Sequence, residues 1–261
     1  MIDSCPEEFI VLAGRLADAA GDLVRQYFRR PLAIVDKADE SPVTMADREA
    51  EARMRDMITR QFPDHGLIGE EHGPDRPDAE FVWVLDPIDG TKAFISGVPV
   101  FGVLIALLHD GHPVLGVIDQ PISRERWVGA AGHATTMNGA EVRTAPRGEL
   151  ADCVLWSTSP HMFDGDPAAS TAFGRLREAV KFVHYGGECY QYGMLASGFI
   201  DIVVEDDMRA YDYCALVPVV QGAGGIITDW RGAALGLQSG GKVLAAADAD
   251  LHARVLPILQ D

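Results

Sequence analysis

Four places in the sequence put carboxylates where they could act together. The segment FVWVLDPIDGTKAF, residues 81–94, begins as an apolar run and then sets Asp86 and Asp89 three residues apart around Pro87. Pro87 fixes φ and has no N–H to give to a sheet. The spacing therefore predicts that the strand stops here and turns both carboxylates toward one point, as two ligands of a metal ion would be turned. Gly90 comes next, small enough for backbone N–H groups to approach an anion closely, and then Thr91, which offers a hydroxyl at the start of a short helix. A phosphate suits such a place. Asp, Pro and Gly are also all common in a solvated turn.

The other three places carry the same double reading. GEEHG, residues 69–73, ends another strand-like run in Glu70 and Glu71, which by themselves suit a solvent-facing strand end. Asp212, in AYDYCALVPVVQGAGG at 210–225, stands before an apolar helical run, where an aspartate serves as an N-cap. Thr44 and Asp47 have nearly the spacing of a capping box opening a helix, a role compatible with catalysis.

The elements that must position these groups are written in the periodicity. Apolar residues recur at helical spacing over 6–30 (Phe9, Leu12, Leu16, Leu23, Tyr27) and over 44–62 (Met54, Met57, Ile58), so two amphipathic helices open the chain. Strand-like runs at 67–69, 81–85, 100–108, 114–119 and 126–130, with turns at HDGHP and MNGA, predict a meandering, largely antiparallel sheet. After about residue 150, short strands at 154–157, 182–184, 202–204, 226–228 and 243–247 alternate with helical segments, an α/β texture. APRGE at 145–149 marks a seam between an N-terminal part, 1–148, and a C-terminal part, 149–261, within one continuous body.

Composition narrows the chemistry. With 261 residues and 48% hydrophobic content the chain can bury a full core. Acids outnumber bases 39 to 22, a formal charge of −17, so nucleic acid is repelled and an anionic substrate needs cations to hold it. No apolar run approaches the roughly 20 residues that span a bilayer. No signal-peptide pattern is present, and Cys5, Cys153, Cys189 and Cys214 form no CxxC pair, so a reducing cytoplasm is expected. The eight histidines make no HxxxH or HxH pattern. Hard oxygen ligands without imidazole or thiolate favour Mg²⁺ or Mn²⁺ over zinc. GxxxxGK[ST] is absent, and GAGG at 222–225 follows a helical run, which argues against a P-loop kinase. The DxDx[TV] motif of haloacid-dehalogenase phosphatases fails because two residues separate Asp86 from Asp89.

In their order and separations, GEE, WVLDPIDGT and YDYCALVPVVQGAGG resemble the motifs of the inositol monophosphatase superfamily of Mg²⁺-dependent, lithium-sensitive phosphatases. The resemblance implies a layered αβαβα sandwich with the active site between the halves, and a homodimer. It also implies metal ligation by Glu70, Asp86, the carbonyl of Ile88, Asp89 and Asp212, with two or three Mg²⁺ ions and Mn²⁺ as a substitute. In that scheme one ion activates a water that Thr91 and Asp47 orient, a second stabilises the departing alkoxide, and the Gly90 and Thr91 amides hold the phosphate. Two carboxylates ~4 Å apart at an effective dielectric near 20 repel by roughly 4 kcal/mol, so four gathered acids take up protons or cations. Thr91 as a covalent nucleophile is disfavoured, because no base besides Asp47 is evident for it.

ESPVTMADREAE, WVLDPIDGTKAFISGVPVFGVLIALLHDG, GVIDQP, ERWVG and YGGECYQYGMLASG, spread over residues 36–252, resemble the histidinol-phosphatase branch most closely. This implies hydrolysis of L-histidinol phosphate in histidine biosynthesis. Members of that branch have an aspartate where this chain has Glu188. Histidinol carries a cationic amine and a protonatable imidazole, so acids lining the pocket suit it, and Glu188 and Glu205 are the candidates. Asp89 and Asp212 border the same substrate. Glu205 precedes Asp212 by seven residues, the separation at which inositol monophosphatases place a substrate-contacting glutamate, so it does not discriminate the two substrates. The alternatives are inositol 1-phosphate, a nucleotide 3′-phosphate or, outside catalysis, a metal-binding regulatory protein.

Overall fold

The computed structural model describes residues 2–30, 42–145 and 148–260. Residues 36–41 of the segment resembling histidinol phosphatases, the Thr44 side chain, and Pro146 and Arg147 of APRGE lie outside the described residues. Two helices, α1 (Glu7–Tyr27) and α2 (Pro42–Gln61), precede β1 (Gly66–Gly69) and β2 (Phe81–Asp89). A short α3 (Thr91–Ile95) leads to β3 (Gly102–His109), β4 (His112–Gln120), β5 (Glu125–Ala130), β6 (Thr136–Met137) and β7 (Ala140–Glu141). These strands pair in sequence order, parallel at β1–β2 and antiparallel from β2 to β7, which is the expected meander.

The remaining chain supplies β8 (Val154–Ser157), α4 (Pro167–Ala179), β9 (Phe182–Tyr185), α5 (Tyr190–Ala196) and β10 (Ile202–Glu205). It then continues through α6 (Ala210–Tyr213), α7 (Leu216–Gly222), β11 (Ile226–Thr228), β12 (Val243–Ala246) and α8 (Ala249–Gln260). Here the strand order is β11-β12-β10-β8-β9, with β10, β8 and β9 parallel and β12 antiparallel to both its neighbours. No helix among the described residues is long and apolar enough to cross a membrane.

The central strands β2, β3, β4, β10 and β12 read as nearly unbroken apolar runs because they are covered on both faces. In β2, Trp83 and Leu85 face a core built with α1 and α2, while Val82 and Val84 face a second core shared with α5, α6 and α7. In β12, Val243 and Ala245 face that same second core, and Leu244 and Ala246 face a third built with α4 and α8. Helix pair, sheet, helices, sheet and helix pair therefore stack as an αβαβα sandwich. The middle helices lie close on the first sheet: a Cβ at Gly116 in β4 would overlap the Ala215 carbonyl, so the glycine lets the segment joining α6 to α7 touch the sheet backbone.

Two local expectations need correction. The strand does not stop at Pro87. It continues to Asp89 with a bulge, the pairing passing from Asp86↔Leu104 to Asp89↔Gly102, so that three steps on β2 match two on β3. Pro87, which has no N–H to donate, falls within the unpaired stretch. The second helix begins at Pro42, a residue well suited to the first helical position, so position 44 lies inside the first turn and not at the N-cap.

Candidate active site

The bulge in β2 settles where two of the acids point. Residues three apart on a regular strand face opposite sides, and one extra residue restores the parity. Asp86 and Asp89 accordingly share a side with Asp212, and carboxylate oxygens from all three lie within 4.8 Å of one another. Each carboxylate is held by a backbone N–H. Asp86 accepts from Ile88 at 3.0 Å, Asp89 from Cys189 at 2.7 Å and Asp212 from Arg209 at 2.6 Å. Asp212 is the third residue of α6, and its bond to Arg209 closes the start of that helix. Asp212 is therefore not the N-cap considered for it, a position Arg209 takes; it is the N3 partner of a capping box, a role that coexists with its place in the cluster.

Glu70, one residue past β1, comes in from the rim. As a whole the residue is exposed and it stands outside the three-acid cluster, yet its carboxyl is near enough to Asp212 and Asp86 for them to shift its ionisation. Asp47 approaches from α2, 5% exposed, and its Oδ1 has no hydrogen-bond partner. The Ile88 side chain is buried in the first core, and its carbonyl accepts the Thr91 hydroxyl at 3.3 Å. Gly90, at φ +85°, precedes α3, and no side chain caps that helix.

So many acids in one place disturb their own ionisation. Burial, followed by the charges of Glu71, Glu70 and Glu51, pushes Asp47 up to about 8. Burial pushes Asp212 to about 6. Asp86 and Asp89 rise well above the carboxylate range, from burial first and then from the neighbouring charges of Asp89 and Asp212 respectively. Glu70 rises from burial and from Asp212. Protons or divalent cations relieve such a cluster. The donors are hard oxygens, and the adjacent Cys189 thiol is itself pushed up by burial and by Asp89, which keeps it protonated and leaves no thiolate for a soft metal. The residues present fit Mg²⁺ or Mn²⁺.

The two remaining acids differ sharply. Glu205, 3% exposed, accepts from the Thr158 N–H at 2.9 Å, Gln191 Nε2 at 2.9 Å and the Tyr192 hydroxyl at 3.1 Å. Glu188, half-buried at φ +45°, packs over Gly90; burial and then Glu205 push it up to about 7, against the opposing pull of Lys92. Beside them opens a cavity of about 730 Å³ lined by Lys92, Thr158, His161, Asp206, Asp207 and Lys242, among others. The expectation from sequence missed this cavity, which no local pattern announces. It also missed Glu51, whose spacing of four residues from Asp47 on α2 was the available signal.

Residues 6–261 match the Inositol monophosphatase family. The chain is 47% identical over 263 residues to the bifunctional phosphatase IMPL2, chloroplastic, of Arabidopsis thaliana, covering 97% of this chain and 75% of that protein. It is 39% identical over 223 residues to a histidinol-phosphatase of Chlorobaculum parvum, covering 85% of each. Among solved structures, an inositol monophosphatase from Zymomonas mobilis superposes with a TM-score of 0.92 at 47% identity, over 98% of both chains.

Proposed function

Because the chain belongs to the inositol monophosphatase family and is a phosphatase of that family, we propose that it hydrolyses L-histidinol phosphate with divalent cations held by its acidic cluster. The observation that carries the metal-dependent reading is the meeting of Asp86, Asp89 and Asp212 with Glu70 against them. Glu70, Asp86, Asp89, Asp212 and the Ile88 carbonyl would hold Mg²⁺. When bound, the cations stabilise negative charge on phosphoryl and leaving oxygens and make water acidic enough to attack. The amides of Gly90 and Thr91, at the uncapped start of α3, bind the phosphate. Asp47, with its unpartnered Oδ1, and the Thr91 hydroxyl orient the attacking water. The same proposal treats 1–148 and 149–261 as two halves of one body, supported by a middle core that draws Val82 and Leu104 from one and Tyr192 and Leu216 from the other.

The histidinol reading is supported by the likeness to the Chlorobaculum parvum histidinol-phosphatase and by the acid Glu188, which packs over Gly90. Glu188 is the acid available to a cationic amine, since Glu205 is already engaged by three donors. Glu205, the other acid expected at the substrate, holds the loop at Thr158 that lines the cavity. Asp206 and Asp207 also line the cavity, where Lys242 pairs with Asp206 at 3.8 Å and Arg209 with Asp207 at 3.5 Å. Myo-inositol 1-phosphate is the second reading, favoured by the likeness to the Zymomonas mobilis structure.

Mg²⁺-dependent phosphate release from histidinol phosphate, myo-inositol 1-phosphate and adenosine 3′,5′-bisphosphate separates these readings. Histidinol phosphate is expected to give the highest kcat/KM. Glu188→Gln should lower that value about tenfold, the worth of one charge-assisted hydrogen bond, and leave inositol phosphate nearly unchanged. The preference for histidinol phosphate in the wild type should also strengthen as pH rises through about 7, where Glu188 acquires its charge. Equal or better hydrolysis of inositol phosphate would overturn the assignment.

A further inference from the structure

We infer that Glu51 is a positioning residue for the loop that carries Glu70, and that it sets the affinity of the acidic cluster for divalent cations without itself touching cation or substrate. The inference rests on the reading of that cluster as a metal centre.

Glu51 lies one helical turn beyond Asp47 on α2 and is 0% exposed. Its Oε2 accepts the Glu71 N–H at 2.7 Å, and its Oε1 accepts the His72 N–H at 3.3 Å. Oε1 also pairs with Arg55 Nε at 2.6 Å, one further turn along the helix, and Arg55 in turn donates to the Gly73 carbonyl. The three residues that follow Glu70 are thus tied in succession to one face of α2. On the other side the Glu70 N–H donates at 3.3 Å to the carbonyl of Leu85, the residue before Asp86. Glu70 is therefore stretched between a helix that carries Asp47 and a strand that carries Asp86 and Asp89.

Gly69 belongs to the same device. A Cβ there would overlap the Glu51 carboxylate, so the chain passes this close only because the position lacks a side chain. A carboxylate engaged by two backbone amides and a guanidinium has little capacity left for a cation. Its effect on metal binding is to order Glu70 before the ion arrives, which removes an entropic loss from the binding step.

Mn²⁺ titrated calorimetrically into metal-free protein tests this, with the Mg²⁺ dependence of phosphate release as a second readout. Glu51→Ala and Gly69→Ala should weaken Mn²⁺ binding by about 10- to 100-fold, and kcat at saturating Mg²⁺ should return close to the wild-type value. Glu51→Gln, which keeps one acceptor oxygen and the volume, should fall between wild type and Glu51→Ala. Folded variants that bind Mn²⁺ as tightly as wild type would overturn the role of Glu51. A wild-type protein that binds no Mn²⁺ would instead overturn the metal centre itself. If Glu51→Ala does not fold, Glu51→Gln decides, and if neither variant at position 51 folds, Gly69→Ala decides by the same measurement.

Discussion

Asp89 accepts the Cys189 N–H through one carboxylate oxygen while lying beside Asp86 and Asp212. An asparagine in its place can keep the bond to Cys189 through its amide oxygen, yet it brings no negative charge. Asp89→Asn should therefore lower kcat at least about 1000-fold, roughly 4 kcal/mol of transition-state stabilisation. It should also leave the melting temperature in EDTA unchanged or raised, because a repelling charge is removed from a buried acidic cluster. Phosphate release and thermal melts of metal-free protein measure both effects. A variant with wild-type turnover in Mg²⁺ would remove Asp89 from the metal centre.

At the scale of elements, the junction from β2 to α3 does the positioning. The bulge at Pro87 turns Asp89 to the side of Asp86, and Gly90 at φ +85° then swings the chain into α3. A Cβ at Gly90 would approach Glu188 Cγ to 2.7 Å in a left-handed backbone that branched carbon disfavours. Gly90→Ala is expected to lose about 1–3 kcal/mol of stability in urea unfolding, the usual range for a strained residue. It should also reduce kcat/KM more than tenfold, because the amides proposed for phosphate and the side chain proposed for the amine are displaced together. Preserved kcat/KM in a destabilised variant would separate Gly90 from the phosphate site.

For the molecule as a whole, the acidic cluster links pH, metal and stability. Asp47, Asp212 and Glu188 rise from ordinary values of 3.8, 3.8 and 4.5 to about 8, 6 and 7. Between about pH 4 and pH 8 the metal-free folded chain keeps protons that the unfolded chain has released, so its stability is greatest at the acid end of that window and falls as pH rises. Divalent cations compete with those protons, and their stabilising effect should grow with pH. Calorimetric melts in EDTA are expected to drop by several degrees from pH 5 to pH 8, a few kcal/mol in a chain of this size. Saturating Mg²⁺ should recover most of the loss at pH 8. A flat profile in EDTA would mean that the acids are not mutually destabilising.

Much of this protein is readable before any coordinates exist, because the signals are local. Short apolar runs mark the central strands, apolar residues at helical spacing mark the long helices, and paired acids beside Pro87, Gly90 and the strand ends mark the chemistry. Those signals gave the elements, whereas their layering as a sandwich came only through resemblance. Other features depend on residues far apart in sequence. The parity of Asp86 and Asp89 depends on a bulge that β3 imposes through its pairing, and the clamp of Glu51 on the Glu70 loop depends on how α2 packs beside β1 and β2. Glu205 and Glu188 look alike as sequence, and only the closing of Thr158, Gln191 and Tyr192 around Glu205 makes one a fully engaged buried acid and the other an available one. Residue type and local spacing determined which groups could do chemistry. Tertiary packing decided which of them meet, because hydrogen bonds and repulsions between distant segments exist only once the layers have closed.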